Sequence, residues 1–248
     1  MQILSGAFLL VLVTLSAAAY ASVGHGGASA YLAILSLYGV SPNEMSTSAL
    51  VLNVLVAGVA LVTYARAGHL SGRLTWPFVV TSVPAAYLGG FLHVSARIYG
   101  LLLGVALVAA SLRLWWTPAE HRPRPLSWAA ALPVGAAVGI LSGIVGIGGG
   151  IFLSPLMILA GWATAKQTAA TSAAFIVVNS VAGLAGRAAR GALVTGNLLP
   201  LVVFAFAGGL LGSRAGAYRM LPLHLRRVLA VLLLFVAIKN VWAWLGAR

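Results

Sequence analysis

Cysteine is absent from the 248-residue chain, which removes any disulfide framework, thiolate metal site or cysteine nucleophile. Carboxylates are nearly absent as well: Glu44 and Glu120 stand against 15 Lys and Arg. Paired-carboxylate catalysis, a carboxylate metal cage and a relay of intramembrane acids for moving cations are all disfavoured by that scarcity. No catalytic group, metal site or cofactor is expected. The start Met1-Gln2-Ile3-Leu4 carries no positive charge. The expectation is therefore that Ala17-Ala18-Ala19 before Tyr20 is helix interior and not a signal-cleavage site.

What the chain does have is apolar surface. Hydrophobic residues make up 61% of it, charged residues 7%, and the mean hydropathy is +1.04. A soluble globule cannot cover itself from such a composition, whereas lipid removes the need. A bilayer span takes roughly 20 apolar residues, and the sequence predicts spans over 3–22, 46–65, 75–92, 97–116, 127–145, 168–186, 197–213 and 225–245. The fold class expected is all-α, a polytopic transmembrane bundle. The net charge of +13 comes from residues scattered between apolar runs. This suits anchoring to membrane lipids and setting orientation better than nucleic-acid binding, which clusters its cations on one soluble face.

Two apolar pieces, 27–38 and 150–161, are too short to cross and each follows a glycine cluster: Gly24-His25-Gly26-Gly27 and Gly146-Ile147-Gly148-Gly149-Gly150. Both read as helix, break, half-helix. The clusters are 122 residues apart, as are Gly39 and Gly161, and Thr47-Ser48-Ala49 reappears as Thr171-Ser172-Ala173 at 124. Ordered matches of that kind indicate an internal duplication. The expected organisation is a first transmembrane repeat over 1–116, a polar linker over 117–126 and a second repeat over 127–248. Parallel repeats put nine basic residues on one side against six, and inverted repeats put ten against five. The positive-inside rule leans towards the inverted arrangement, which also recurs in secondary transporters.

Backbone breaks at membrane depth must be buried in protein or line a wet cavity. A half-helix that starts from such a break offers free N–H groups and a positive dipole end to an anion. Gly24, Gly26, Gly27, Gly148, Gly149 and Gly150 are therefore expected to shape a central substrate site. Helix packing accounts instead for Gly135, Gly139 and Gly143, spaced by four, and for Gly208, Gly212 and Gly216. Thr47, Ser48, Thr171 and Ser172 would either donate to the anion or cap helices. His25 would donate to the anion, sense protons or simply bond a nearby carbonyl. Asn179, and Asn53 in the first half, must face the bundle interior to find partners.

The segment Gly139 to Gly150 (GILSGIVGIGGG), followed by Ser154-Pro155-Leu156, Lys166 and Ala170-Thr171-Ser172, resembles the TauE/SafE family. The likeness covers nearly the whole chain and is weaker in the first half, where Ala28 replaces the last glycine. It implies a multi-pass carrier in a bacterial plasma membrane for small sulfur-containing anions such as sulfite, sulfoacetate or other organosulfonates, and export is the expected direction. A homo-oligomer is compatible with the sequence. The rival readings are a passive anion channel, a membrane-embedded enzyme and a structural membrane subunit.

Overall fold

The computed structural model describes residues 2–92, 123–193 and 196–246, and all regular structure among them is helical. The expected span 97–116 and linker residues 117–122, with Arg113, Glu120 and Arg122, lie outside the described residues. Nine α-helices are described: α1 Gln2–Ala21, α2 Ala28–Leu37, α3 Pro42–Arg66, α4 Gly72–Phe91, α5 Trp128–Val145, α6 Gly150–Leu159, α7 Ala165–Ala189, α8 Leu199–Arg214 and α9 Pro222–Gly246. A π-helical turn, Ala215–Arg219, extends α8. Segments Asn43–Arg66, Trp128–Val145, Ala165–Ala189 and Leu199–Arg219 are each long and apolar enough to cross a bilayer. The expected half-helices appear as α2 and α6, ten residues apiece.

Local chemistry sets the helix boundaries. Ser41 caps α3, its hydroxyl accepting from Glu44 N, with Pro42 preset for the first turn. Thr164 and Gln167 form a reciprocal capping box at α7. Gly146 ends α5 in the left-handed conformation, its N–H bonded to Ser142 O at 2.8 Å.

Glycines bring helix backbones together. On α5, Gly135 lies against Phe78, Gly139 against Ser82 and Gly143 against Ala86 of α4. On the α8 side, Gly208 lies against Thr14, Gly212 against Ala18 and Gly216 against Ser22. A side chain at any of these would collide with the neighbouring backbone, so the helices approach as small residues permit. The same contacts give direction. Residue numbers rise together along α4 and α5, and along α1 and α8, so each pair is parallel. The contacts Val56–Gly209 and Thr63–Ser213 make α3 parallel to α8. Thr75–Thr171 and Gly90–Gly183 make α4 parallel to α7. In contrast, α3 and α7 run antiparallel: Gly183 faces Leu50, while Ser46 and Arg187 meet at Gly146. Helices α1, α3 and α8 thus run one way, and α4, α5 and α7 the other.

The bundle has two ends, named here the Ser41 face, where α3 begins, and the Arg66 face, where it stops. Helix α1 climbs to the level of Tyr64, whose hydroxyl donates to Ser22 O. The chain then breaks and drops back, so that Ala28 N reaches Asn53 halfway down α3. Helix α2 returns to the Ser41 face. Helix α6 does the reverse, ending at the Arg66 face, where Gly161 O accepts from Arg124 N.

Candidate functional site

Both glycine breaks are buried and meet in the middle of the bundle. His25 crosses between them. Its Nδ1 is 3.0 Å from Val23 O, and its Nε2 is 3.2 Å from Ser154 Oγ on α6. Ser154 Oγ in turn pairs with Ser172 Oγ on α7 at 2.7 Å. All three side chains are buried. The result is a polar strand from the first break, through the second half-helix, to α7.

Asn53 makes the second link. Its Oδ1 accepts from Ala28 N, the first free amide of α2, at 3.1 Å. That bond fixes which way the carboxamide faces and leaves Nδ2 buried with no partner among the described residues. Gly148 lies directly opposite. With φ at +76° it sits where an L side chain is strained, and a Cβ there would stand 2.7 Å from Asn53 Nδ2 and 2.9 Å from Ser180 Oγ. Ser180 Oγ and Ser142 Oγ are likewise buried and unpartnered, and Ser142 packs beneath Gly149. An unsatisfied buried polar group costs roughly 1–3 kcal/mol. Two hydroxyls and an amide left in that condition around one glycine break make a concentration of hydrogen-bond donors, the chemistry an anion requires.

The residues expected from sequence divide by location. His25, Ser172, Gly148, Gly149 and Gly150 belong to this cluster: Gly149 caps α6 at φ +79°, and Gly150 lies by Ile176 and His25. Gly26 packs on Asn53, so it shapes the site from behind. Gly24 is pressed against the Ala169 backbone and Gly27 against the Tyr31 ring, which makes both packing positions. Asn179 is buried, with Nδ2 donating to Phe175 O and Oδ1 unpartnered. Thr47 donates to Asn43 O of its own helix, and Thr171 pairs with Thr75 on α4 at 3.2 Å. Neither residue faces the cluster. Nor does any of the Thr-Ser pairs cap a helix, since Ser41 and Thr164 do.

Ser48 lies elsewhere. It lines a cavity of about 380 Å³ at the Ser41 face, together with Leu9, Leu10, Leu35, Glu44, Asn197 and Leu201. The walls are mainly aliphatic, with Glu44 at the rim.

Sequence reasoning gave Ser142, Ser154 and Ser180 no place in the site, and singled out Asn53 without placing it there. A signal for Ser180 existed. At 100° per residue, Ser172, Ile176, Asn179, Ser180, Gly183 and Arg187 fall within a stripe about 100° wide on α7, while Thr171 falls outside it.

Comparison with known proteins places the chain among membrane transporters. The family model described as sulfite exporter TauE/SafE matches residues 8–240. A curated protein of Sinorhizobium fredii (strain NBRC 101917 / NGR234), named probable membrane transporter protein y4hK, is 36% identical over 233 residues, covering 91% of this chain and 94% of its own length. No solved structure matches the chain.

Proposed function

The chain belongs to the TauE/SafE family of membrane transporters, and from that premise we propose that it is a secondary carrier moving small sulfur-containing anions outward across the plasma membrane. Sulfite, sulfoacetate and other organosulfonates are the substrate class. The observation that carries the reading is the set of unpartnered buried donors, Asn53 Nδ2, Ser142 Oγ and Ser180 Oγ, around the second glycine break. Glu44, the one carboxylate among the described residues, sits at the Ser41 face and not among them. A site of donors with no carboxylate discriminates against cations.

The anion would rest between Gly148, Asn53 and Ser180, with the free amides of α6 adding their dipole end and His25, Ser154 and Ser172 behind. Two opposed sets of helices support reading the halves as inverted repeats, each supplying one break. Rocking of one set on the other would expose the shared site to alternate faces. The Arg66 face carries Arg66, Arg73, Arg124, Lys166, Arg214 and Arg219 at helix ends, which supports a cytoplasmic assignment for it.

The test is transport by the purified full chain in proteoliposomes, using radiolabelled sulfite and sulfoacetate in counterflow. Saturable exchange is expected. A steady anion current far above carrier turnover would favour a channel instead, and failure of every sulfur anion to exchange or bind would overturn the substrate class.

A further inference from the structure

Arg187 stands in the last turn of α7, inside an apolar span, with only 5% of its surface exposed. A guanidinium does not give up its proton, so it cannot escape burial by neutralising itself. A buried charge demands a counter-charge or dense hydrogen bonding. Yet Arg187 Nε is buried with no partner among the described residues. Arg190, three residues further along the chain, carries the same sign. Glu44, the carboxylate among the described residues, contacts Gly196 and the Ser41 cap.

The position is equally telling. A Cβ on Gly146 would lie 3.3 Å from an Arg187 terminal nitrogen and 3.3 Å from Ser46 Cβ. The guanidinium therefore sits at the second glycine break, on its Ser41-face side. Ser180 is seven residues earlier on the same stripe, about 10 Å deeper at 1.5 Å per residue. Between them Gly183 leaves the α7 surface low, against Leu50. The unpartnered donors of Ser180 and Asn53 thus continue inward from the guanidinium of Arg187.

We propose that Arg187 is an outer anion station: a second binding position, between Ser46, Gly146 and the Gly148 site, that takes a small oxyanion through the planar guanidinium fork and selects for charge on the Ser41-face side. This rests on the sulfur-anion reading above. A guanidinium matches two oxygens of a sulfonate at once. The competing role is purely structural, in which Arg187 neutralises the negative dipole end of α5 at Gly146.

The experiment compares methanesulfonate with methanesulfonamide, the same shape without the charge, by calorimetry and thermal shift on the purified full chain in nanodiscs. Arg187→Gln is expected to weaken methanesulfonate by about ten-fold or more and leave the sulfonamide unchanged. Ser46→Asp places a carboxylate beside the guanidinium as an internal counter-ion. It is expected to raise the melting temperature and likewise weaken methanesulfonate about ten-fold. It also decides the matter if Arg187→Gln does not fold. Unchanged methanesulfonate affinity in Ser46→Asp, or in a folded Arg187→Gln with a lowered melting temperature, would overturn the station and leave the dipole role. Should the unmodified protein bind no sulfur anion, the substrate reading falls first and the station with it.

Discussion

His25 Nε2 lies 3.2 Å from Ser154 Oγ, a contact across 129 residues that ties the first glycine break to the second half-helix. Neither residue could bind an anion alone. A histidine held by Val23 O and a serine already paired with Ser172 form a wall whose remaining hydrogen-bonding capacity depends on both halves staying together.

Asn53→Asp separates fold from binding. The carboxylate still offers an oxygen to Ala28 N, so the first break keeps its anchor. The unpartnered Nδ2 donor becomes a negative oxygen facing Gly148. Methanesulfonate affinity is expected to fall by about ten-fold or more by calorimetry, while circular dichroism and detergent-solubilised monodispersity stay those of the parent. An affinity equal to the parent's would remove Asn53 from the site.

Gly148→Ala should damage both. The left-handed conformation costs an L residue roughly 1–2 kcal/mol, and the new methyl would stand 2.7 Å from Asn53 Nδ2. A lowered melting temperature together with lost anion exchange is expected in proteoliposomes. Full exchange by a destabilised variant would show that the anion does not occupy this point.

Ser172 and Thr171 are neighbours with different expected fates. Ser172→Ala removes a hydroxyl from the His25–Ser154 cluster, and bonds to charged groups are worth roughly 1.5–3 kcal/mol. Acting through Ser154 from behind the anion, its loss is expected to lower affinity by about ten-fold. Thr171→Val removes only the link to Thr75 and should cost about 0.5–1.5 kcal/mol of stability with affinity intact. Equal affinity loss in both variants would mean that the face of α7 has been misassigned.

Orientation is readable because the chain has no native cysteine. Asn43→Cys and Leu70→Cys place exposed thiols at the Ser41 and Arg66 faces respectively. In intact cells an impermeant maleimide should label the first and not the second, as the basic character of the Arg66 face requires. The reverse pattern would invert the assignment and with it the side on which Arg187 meets its anion.

The sequence by itself determined the class of the protein and the outline of its helices. A composition this apolar has no solution outside lipid, and local signals set the breaks: glycine clusters before 28 and 150 stop a helix wherever they stand, because glycine alone enters the left-handed region cheaply. The half-helices expected at 27–38 and 150–161 accordingly fall at Ala28–Leu37 and Gly150–Leu159. The glycines spaced by four on α5 and α8 also pack as their spacing predicts. Tertiary structure alone decided which polar groups were already spent. Thr47 and Ser172 look equivalent in a list of hydroxyls, yet one bonds its own helix and the other joins His25 through Ser154. Asn53 shows the reason most clearly. Its Oδ1 is consumed by an amide 25 residues earlier, and that bond turns Nδ2 towards Gly148. A hydrogen bond's partner is a matter of three-dimensional neighbours. Only once the two halves are packed does it become visible which donors, Arg187 Nε among them, stay unpartnered among the described residues.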